Sequence, residues 1–423
     1  MDTRFRGRRL VRMLLPLLVA VSGASPAQAA DDAPLTLDAA VAQAMRNAPL
    51  LAAYAARVDA AREDRVRAGR LPDPELGFGL DNLTATGGGA FDPLADPMTM
   101  QTIGIRQVIP SRAARSAQRA AADALVQAAS AQRELAGVDV RQSAAAAWVS
   151  LWVAQRKRAL LEDLRGAADV AERASRARLA GGTDGAADAL AARAEAADLD
   201  NRIDAAQAGI NAARALLRRW TGTDASAAQA PDFADLPVAP ATLLAQLDRQ
   251  APLLQWPARE ASAQAALDAA RASKHPQWSV GVSYARRFGS LSDMASVNFG
   301  MSLPLFAGNR QDRDIGARHA ERDAARAEHD DARRAQRAAL EEKLAQWRGW
   351  TRQARRFRDE LLPLAADRSR VALAAYRGGG SLQPWLDARR DEIKTRLDYA
   401  DALAAWGRDW TALAYLIPAE DMP

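Results

Sequence analysis

Apolar and polar positions follow two periods along this chain, and the same succession of periods occurs twice. Trp278, Val280, Val282 and Tyr284 alternate with Gln277, Ser279, Gly281 and Ser283, and Val297, Phe299, Met301, Leu303 and Leu305 alternate with Asn298, Gly300 and Ser302. A period of two with one apolar face predicts strands over about 276–287 and 295–305. Earlier in the chain Leu76, Phe78 and Leu80 alternate with Glu75, Gly77, Gly79 and Asp81, predicting a strand over about 75–84 with a less regular partner over about 98–109. The connections, Thr84 to Pro97 and Arg286 to Asp293, carry the Gly, Asp and Ser of surface turns.

After each strand pair the pattern becomes helical. Pro110-Ser111 supplies a proline and a hydroxyl N-cap, and Pro304 and Gly308-Asn309 occupy the equivalent turn, with Asn309 as an amide cap. No proline interrupts Ser111 to Arg178, and Pro363 alone interrupts Asn309 to Tyr376. At 1.5 Å per residue each segment would extend about 100 Å. Both break at glycines, Gly181-Gly182 and Gly378-Gly379, and the chain returns, giving helical hairpins over about 111–220 and 309–416. Helices of that length need packed neighbours. The pairs Trp148/Trp152, Trp347/Trp350 and Trp406/Trp410 each share a helix face and are expected to be core.

The succession is a repeat. Asn47-Ala48-Pro49-Leu50-Leu51 is echoed by Gln250-Ala251-Pro252-Leu253-Leu254, Pro74 by Pro276, and Gly104-Ile105 by Gly300-Met301, at a spacing near two hundred residues. Two copies of helix, strand, strand, long helix, helix are predicted over 30–221 and 242–418, joined by a Pro- and Ala-rich linker over 222–241. Segments of about ten residues with small polar side chains opposite large apolar ones suit a transmembrane β-strand; a soluble sandwich hairpin is the other reading. Four strands cannot close a barrel, and open edges are not tolerated in lipid, so closure takes several chains. Eight, twelve or sixteen strands all satisfy that count. The predicted fold class is mainly α with a membrane β-barrel contribution.

Residues 1–29 hold five arginines (Arg4, Arg6, Arg8, Arg9, Arg12) against Asp2, then the apolar run Met13 to Val21 and Ala27-Gln28-Ala29, which reads as a signal peptide cleaved before Ala30. Five minus one leaves +4 of the total +5 in that leader, so the remainder is nearly neutral. With no aromatic-basic motif either, nucleic acid is not an expected partner. Cysteine is absent, which excludes disulfides, thiolate metal sites and a lipidated N-terminal Cys. Low aromatic content, 5 %, suits long helices packed through small side chains more than a thick core.

Catalytic chemistry has little to stand on, and neither enzyme activity nor a cofactor is expected. The three histidines, His275, His319 and His329, accompany no nucleophile motif or phosphate-binding loop. His319 and His329 lie ten residues apart on one predicted helix and cannot share a metal as an i, i+4 pair could; both read as surface side chains on a polar face. Asp312 and Asp314 read as favourable charges at a helix N-terminus.

Leu35-Thr36-Leu37-Asp38-Ala39-Ala40 with Asn47-Ala48-Pro49, Gln107-Val108-Ile109-Pro110, Gly181-Gly182, Gly300 to Phe306, and Tyr376-Arg377-Gly378 followed by Leu386-Asp387-Ala388 stand in an order that resembles the TolC family of outer-membrane efflux proteins. The resemblance implies a homotrimer: a twelve-strand β-barrel in outer-membrane lipid, and a twelve-helix tunnel that meets a periplasmic membrane-fusion adaptor and an inner-membrane RND pump. The segment around Asp81-Asn82-Leu83 and the run from Leu303 to Asp314 look most like the CzcC-type branch, which is tied to heavy-metal export. The chain would then conduct exported solute passively. The alternatives are a periplasmic coiled-coil adaptor or scaffold, and an exit duct for drugs or a secreted protein. The family's periplasmic gate maps onto Asp188 as an acidic linking residue, Tyr376 as its tyrosine partner and Asp387 as a pore-lining acid. This chain departs from the family pattern in a second hairpin one residue shorter and in Pro384 near the other pore acid.

Overall fold

The computed structural model describes residues 34–182, 185–288 and 290–418, so the leader at 1–29 lies outside the described residues. Helices α1 (Leu37–Asn47) and α2 (Pro49–Arg67) lead to strand β1 (Glu75–Asp81), which turns to β2 (Met100–Ile109). Helix α3 (Arg112–Ala180) follows, then α4 (Ala186–Thr221). The second copy runs through α5 (Pro240–Ala245) and two short 3-10 turns to α6 (Trp256–Ala272), β3 (Trp278–Arg287) and β4 (Met294–Met301). It ends in α7 (Gln311–Arg356), α8 (Leu362–Arg377) and α9 (Gln383–Ala414).

The strands form one antiparallel sheet in the order β1-β2-β3-β4. Since α2 enters β1, β2 feeds α3, α6 enters β3 and β4 feeds α7, the helices below the sheet pack in the matching order α2, α3, α6, α7. Further along α3 the set changes: α4 lies on one side of it and α9 on the other, and α9 packs in turn on α7 and α8. Each chain therefore presents a row of four helices at either level. The exchange occurs at a waist where Trp148, Trp347, Trp406 and Trp410 join one buried cluster, with Trp152 and Trp350 packed against it.

Local chemistry explains most boundaries. Ser111 Oγ accepts the Ala114 N–H at 3.1 Å, capping α3. The hairpin turns use Gly182 at φ 74° and Gly379 at φ 99°, conformations that a side chain disfavours. Asn82, at φ 58°, stops β1 at Asp81, short of the expected residue 84.

Other expectations need correction. The alternation from Val297 suggested a strand to Leu305, but β4 stops at Met301: Pro304 has no N–H to offer the ladder, and Leu305 and Phe306 project with 74 % and 84 % exposure. Asn309 does not cap α7. It lies in a 3-10 turn, Ala307–Asn309, and the cap position is Arg310 without a side-chain hydrogen bond. Pro363 divides the expected long helix, with a π turn at Phe357–Leu361 just ahead of it.

The linker is not a spacer. Leu35 bridges to Ala227, Phe233 is 2 % exposed and Val238 is buried, so the joining segment is threaded through the waist. His329 is likewise not a free surface residue. Its ring stacks on Trp256 at 5.5 Å and Nδ1 lies 2.5 Å from a Glu260 carboxylate oxygen, so α7 is fastened to α6 there.

Candidate functional site

Directly opposed residues of an antiparallel pair share a face, so the register assigns every side chain of the sheet to one side. Phe78 opposes Ile103 and Ile103 opposes Tyr284; Leu76 opposes Ile105, Ile105 opposes Val282, and Val282 opposes Val297. Val280 opposes Phe299 and Trp278 opposes Met301. One face is thus apolar across all four strands and bare in the single chain, with Phe78 88 %, Phe299 74 % and Val297 59 % exposed. The irregular β2 pattern has its reason here: Ile103, Ile105 and Ile109 keep that face, and two glutamines intrude near its ends, Gln101 between Leu80 and Arg286, and Gln107, whose Nε2 donates to the Pro72 and Val108 carbonyls.

The opposite face carries Gly77, Gly79, Thr102, Gly104, Ser279, Gly281, Ser283, Asn298 and Gly300. These line a broad depression of about 650 Å³. Charge is confined to its ends, with Glu75 opposite Arg106 at one end and Asp81, which accepts the Thr102 hydroxyl at 2.6 Å, at the other. Small neutral side chains leave this face wide and wettable without gripping a solute. Among the described residues no helix is long and apolar enough to cross a membrane, and no three His, Asp or Glu side chains gather as a metal cluster would require.

About 100 Å along α3 from the sheet, both hairpin turns meet. Ala171 and Ala192 of the first hairpin pack with Tyr376, Leu382, Trp385 and Leu386 of the second. Tyr376 is 3 % exposed and stacks on Trp385 at 6.3 Å, 12° from parallel. The Arg178 guanidinium lies 4.5 Å from the Tyr376 ring centre, and Nη1 donates to the Tyr376 carbonyl at 2.8 Å. Sequence reasoning missed Arg178; its place in the last turn of α3, where a cation suits the helix C-terminus, was the available signal.

Asp188 stands in the first turn of α4, half-buried, with no hydrogen bond to Tyr376 within the chain among the described residues. Asp387 is exposed on α9, accepts from Gln383 Nε2 at 2.9 Å and lies 3.6 Å from Arg390 Nη1. Behind this tip the helices are joined by ion pairs. Arg390 of α9 reaches Glu195 of α4 at 3.1 Å, and within α9 itself Glu392, 4 % exposed, takes Arg389 at 2.8 Å and Arg396 at 2.7 Å. Arg165 joins α3 to Asp200 of α4 at 2.7 Å; its hydrogen bond holds the Asp200 carboxyl below the usual carboxylate range.

Residues 245–417 match the family described as Outer membrane efflux protein. No curated protein sequence matches the chain. Among solved structures, a membrane protein from Pseudomonas aeruginosa superposes with a TM-score of 0.76 at 19 % identity, covering 90 % of this chain and 89 % of that one. CusC, whose crystal structures concern folding and transmembrane channel formation, gives 0.76 at 16 % identity over 90 % and 92 % of the two chains. The Campylobacter jejuni CmeC outer membrane channel gives 0.72 at 13 % identity over 91 % and 87 %. The chain has the fold of these TolC-like outer-membrane channels, and its second half carries the sequence pattern of the outer membrane efflux family.

Proposed function

We propose that the chain is the outer-membrane channel of an efflux system, a passive conduit through which a pump and its adaptor deliver solute to the exterior. The observation that carries this reading is the two-faced sheet. One face is apolar and bare and the other small and polar, and no strand covers the outer edges of β1 and β4 among the described residues. Such edges are not tolerated in lipid, where each unpaired backbone group costs several kcal/mol. Joining β4 of one copy to β1 of the next satisfies both edges, and the four-helix rows then extend the wall into the periplasm. Three copies, the number implied by the family resemblance, give twelve strands and twelve helices. Mass measurement of the detergent-extracted protein is expected to give three chains, and planar bilayers containing it are expected to show discrete conductance. A monomer that stays stable in lipid and conducts nothing would defeat the reading.

The exported solute is proposed to be heavy-metal cations, delivered by an RND pump through a periplasmic adaptor. The support is the resemblance of the segments around Asp81 and from Leu303 to Asp314 to the metal-export branch. A deletion strain should become sensitive to divalent metals; sensitivity to drugs alone would assign the conduit to another cargo. Export by a cleaved, unlipidated leader belongs to the same proposal.

The tip is proposed as the gate, closed by Tyr376 with Asp188 and lined by Asp387, the Arg178 contact adding a tie between the two hairpins of one chain. Tyr376→Phe combined with Asp188→Ala is expected to raise single-channel conductance. Asp387→Ala, by removing three acids from a ring, is expected to weaken block by divalent cations. Unchanged conductance in the first variant would show that the link does not hold the mouth.

A further inference from the structure

The second long helix is interrupted at one place, and the interruption separates a clamped part from one whose first two turns, residues 362–368, bury no side chain. Above it, Trp347 Nε1 donates to the Phe233 carbonyl at 2.8 Å and the Thr351 hydroxyl donates to the Trp347 carbonyl at 2.9 Å. Trp406 of α9 donates to that same hydroxyl at 3.0 Å, and Ala354 is 3 % exposed. Below it, no residue of the helix is buried between Ala354 and Ser369. Leu364 and Val371 stand 65 % and 69 % exposed. The Arg368–Asp391 ion pair at 2.6 Å is open to solvent on both sides, a kind of pair worth little.

Between the two parts lies the π turn Phe357–Leu361, in which the Leu362 N–H donates to the Phe357 carbonyl. Pro363 is the physical reason. It offers no N–H, and its ring would meet the carbonyl of Asp359 in a regular helix, so the wider turn takes up the mismatch. A helix with its ladder broken at one turn bends there at lower cost than elsewhere.

We propose that the Phe357–Leu361 turn with Pro363 is a hinge on which α8, and the tip that Tyr376 anchors, swings against a waist fixed by Phe233. The hinge rests on the channel reading for its purpose, since such a swing would move the gate, but its motion is measurable separately. The chain has no cysteine, so spin labels can be placed at Arg348→Cys and Arg370→Cys, exposed positions on either side of the turn. In trimers diluted with unlabelled chains, pulsed electron resonance is expected to show two distance populations. Pro363→Ala, which lets the helix become regular, is expected to deplete the bent population about tenfold, whereas Pro363→Gly, which leaves the turn weak, keeps both. A single narrow population that Pro363→Ala leaves unaltered overturns the hinge, as does equal depletion by alanine and glycine. If both populations persist and respond as expected while bilayers show no conductance, the hinge stands and the channel reading falls.

Discussion

Phe233→Ala is expected to lower stability more than any other single truncation in the segment that joins the two repeats, by about 3 to 5 kcal/mol for loss of a buried aromatic ring. The ring sits at the meeting point of both halves. It contacts Trp152 at 6.0 Å, Trp406 at 5.7 Å and Trp410 at 5.6 Å, edge-on or tilted, geometries that add to the burial term. Gly407 makes the close approach possible, since a Cβ there would lie 3.2 Å from the Phe233 ring. The flanking backbone is fastened independently: Trp347 donates to the Phe233 carbonyl at 2.8 Å and Trp410 to the Asp235 carbonyl at 2.6 Å. Those bonds survive the truncation, so the loss should measure the ring. Thermal melting followed by circular dichroism in detergent provides the test, with the exposed Gln229→Ala as control, expected within about 0.5 kcal/mol of the parent. Equal melting of the two variants would mean that the segment is a spacer after all.

That segment also marks where sequence reading stops. The repeat, the strand pairs, the glycine turns and the tryptophan faces were legible because each is a local signal: a period, a cap or a backbone conformation open to few residues. Phe233 gave no such signal. A lone aromatic among Ala, Pro and Asp has no period, and its burial depends on three tryptophans from helices far away in sequence. The strand ends were misjudged for a related reason. Leu303 and Leu305 continue the alternation of β4, but the ladder fails at a proline, and pattern alone does not weigh a missing donor. At the tip, Tyr376 is singled out by the sequence only through its likeness to a family position, whereas Arg178, which reaches it from the other hairpin, belongs to a contact across 198 residues that no local pattern could report.

The sheet offers the sharper test of function, because its two faces make opposite predictions for the same chemistry. Phe299→Arg and Val282→Arg place a cation on the apolar face, where a basic group at the midplane of the bilayer costs about 2 to 4 kcal/mol. A closed trimer carries each substitution three times, so about three times that cost falls on one assembly step, enough to abolish insertion. Both parent side chains are exposed in the single chain, at 74 % and 49 %, so neither change disrupts a packed core before assembly. The controls belong on the other face. Ser283 lies opposite Gly104, and Asn298 lies opposite Gly281, so a longer side chain at either position extends over glycine toward the polar depression. Ser302 is a poor control although the alternation would nominate it: it lies past the end of β4, and its hydroxyl accepts the Gln277 N–H at 2.9 Å. Ser283→Arg and Asn298→Arg are therefore expected to yield trimers in the outer-membrane fraction at close to the parent level, with altered ion selectivity, while Phe299→Arg and Val282→Arg leave the protein in the soluble or aggregated fraction. If all four variants assemble alike, the apolar face does not meet lipid and the sheet is not a membrane wall.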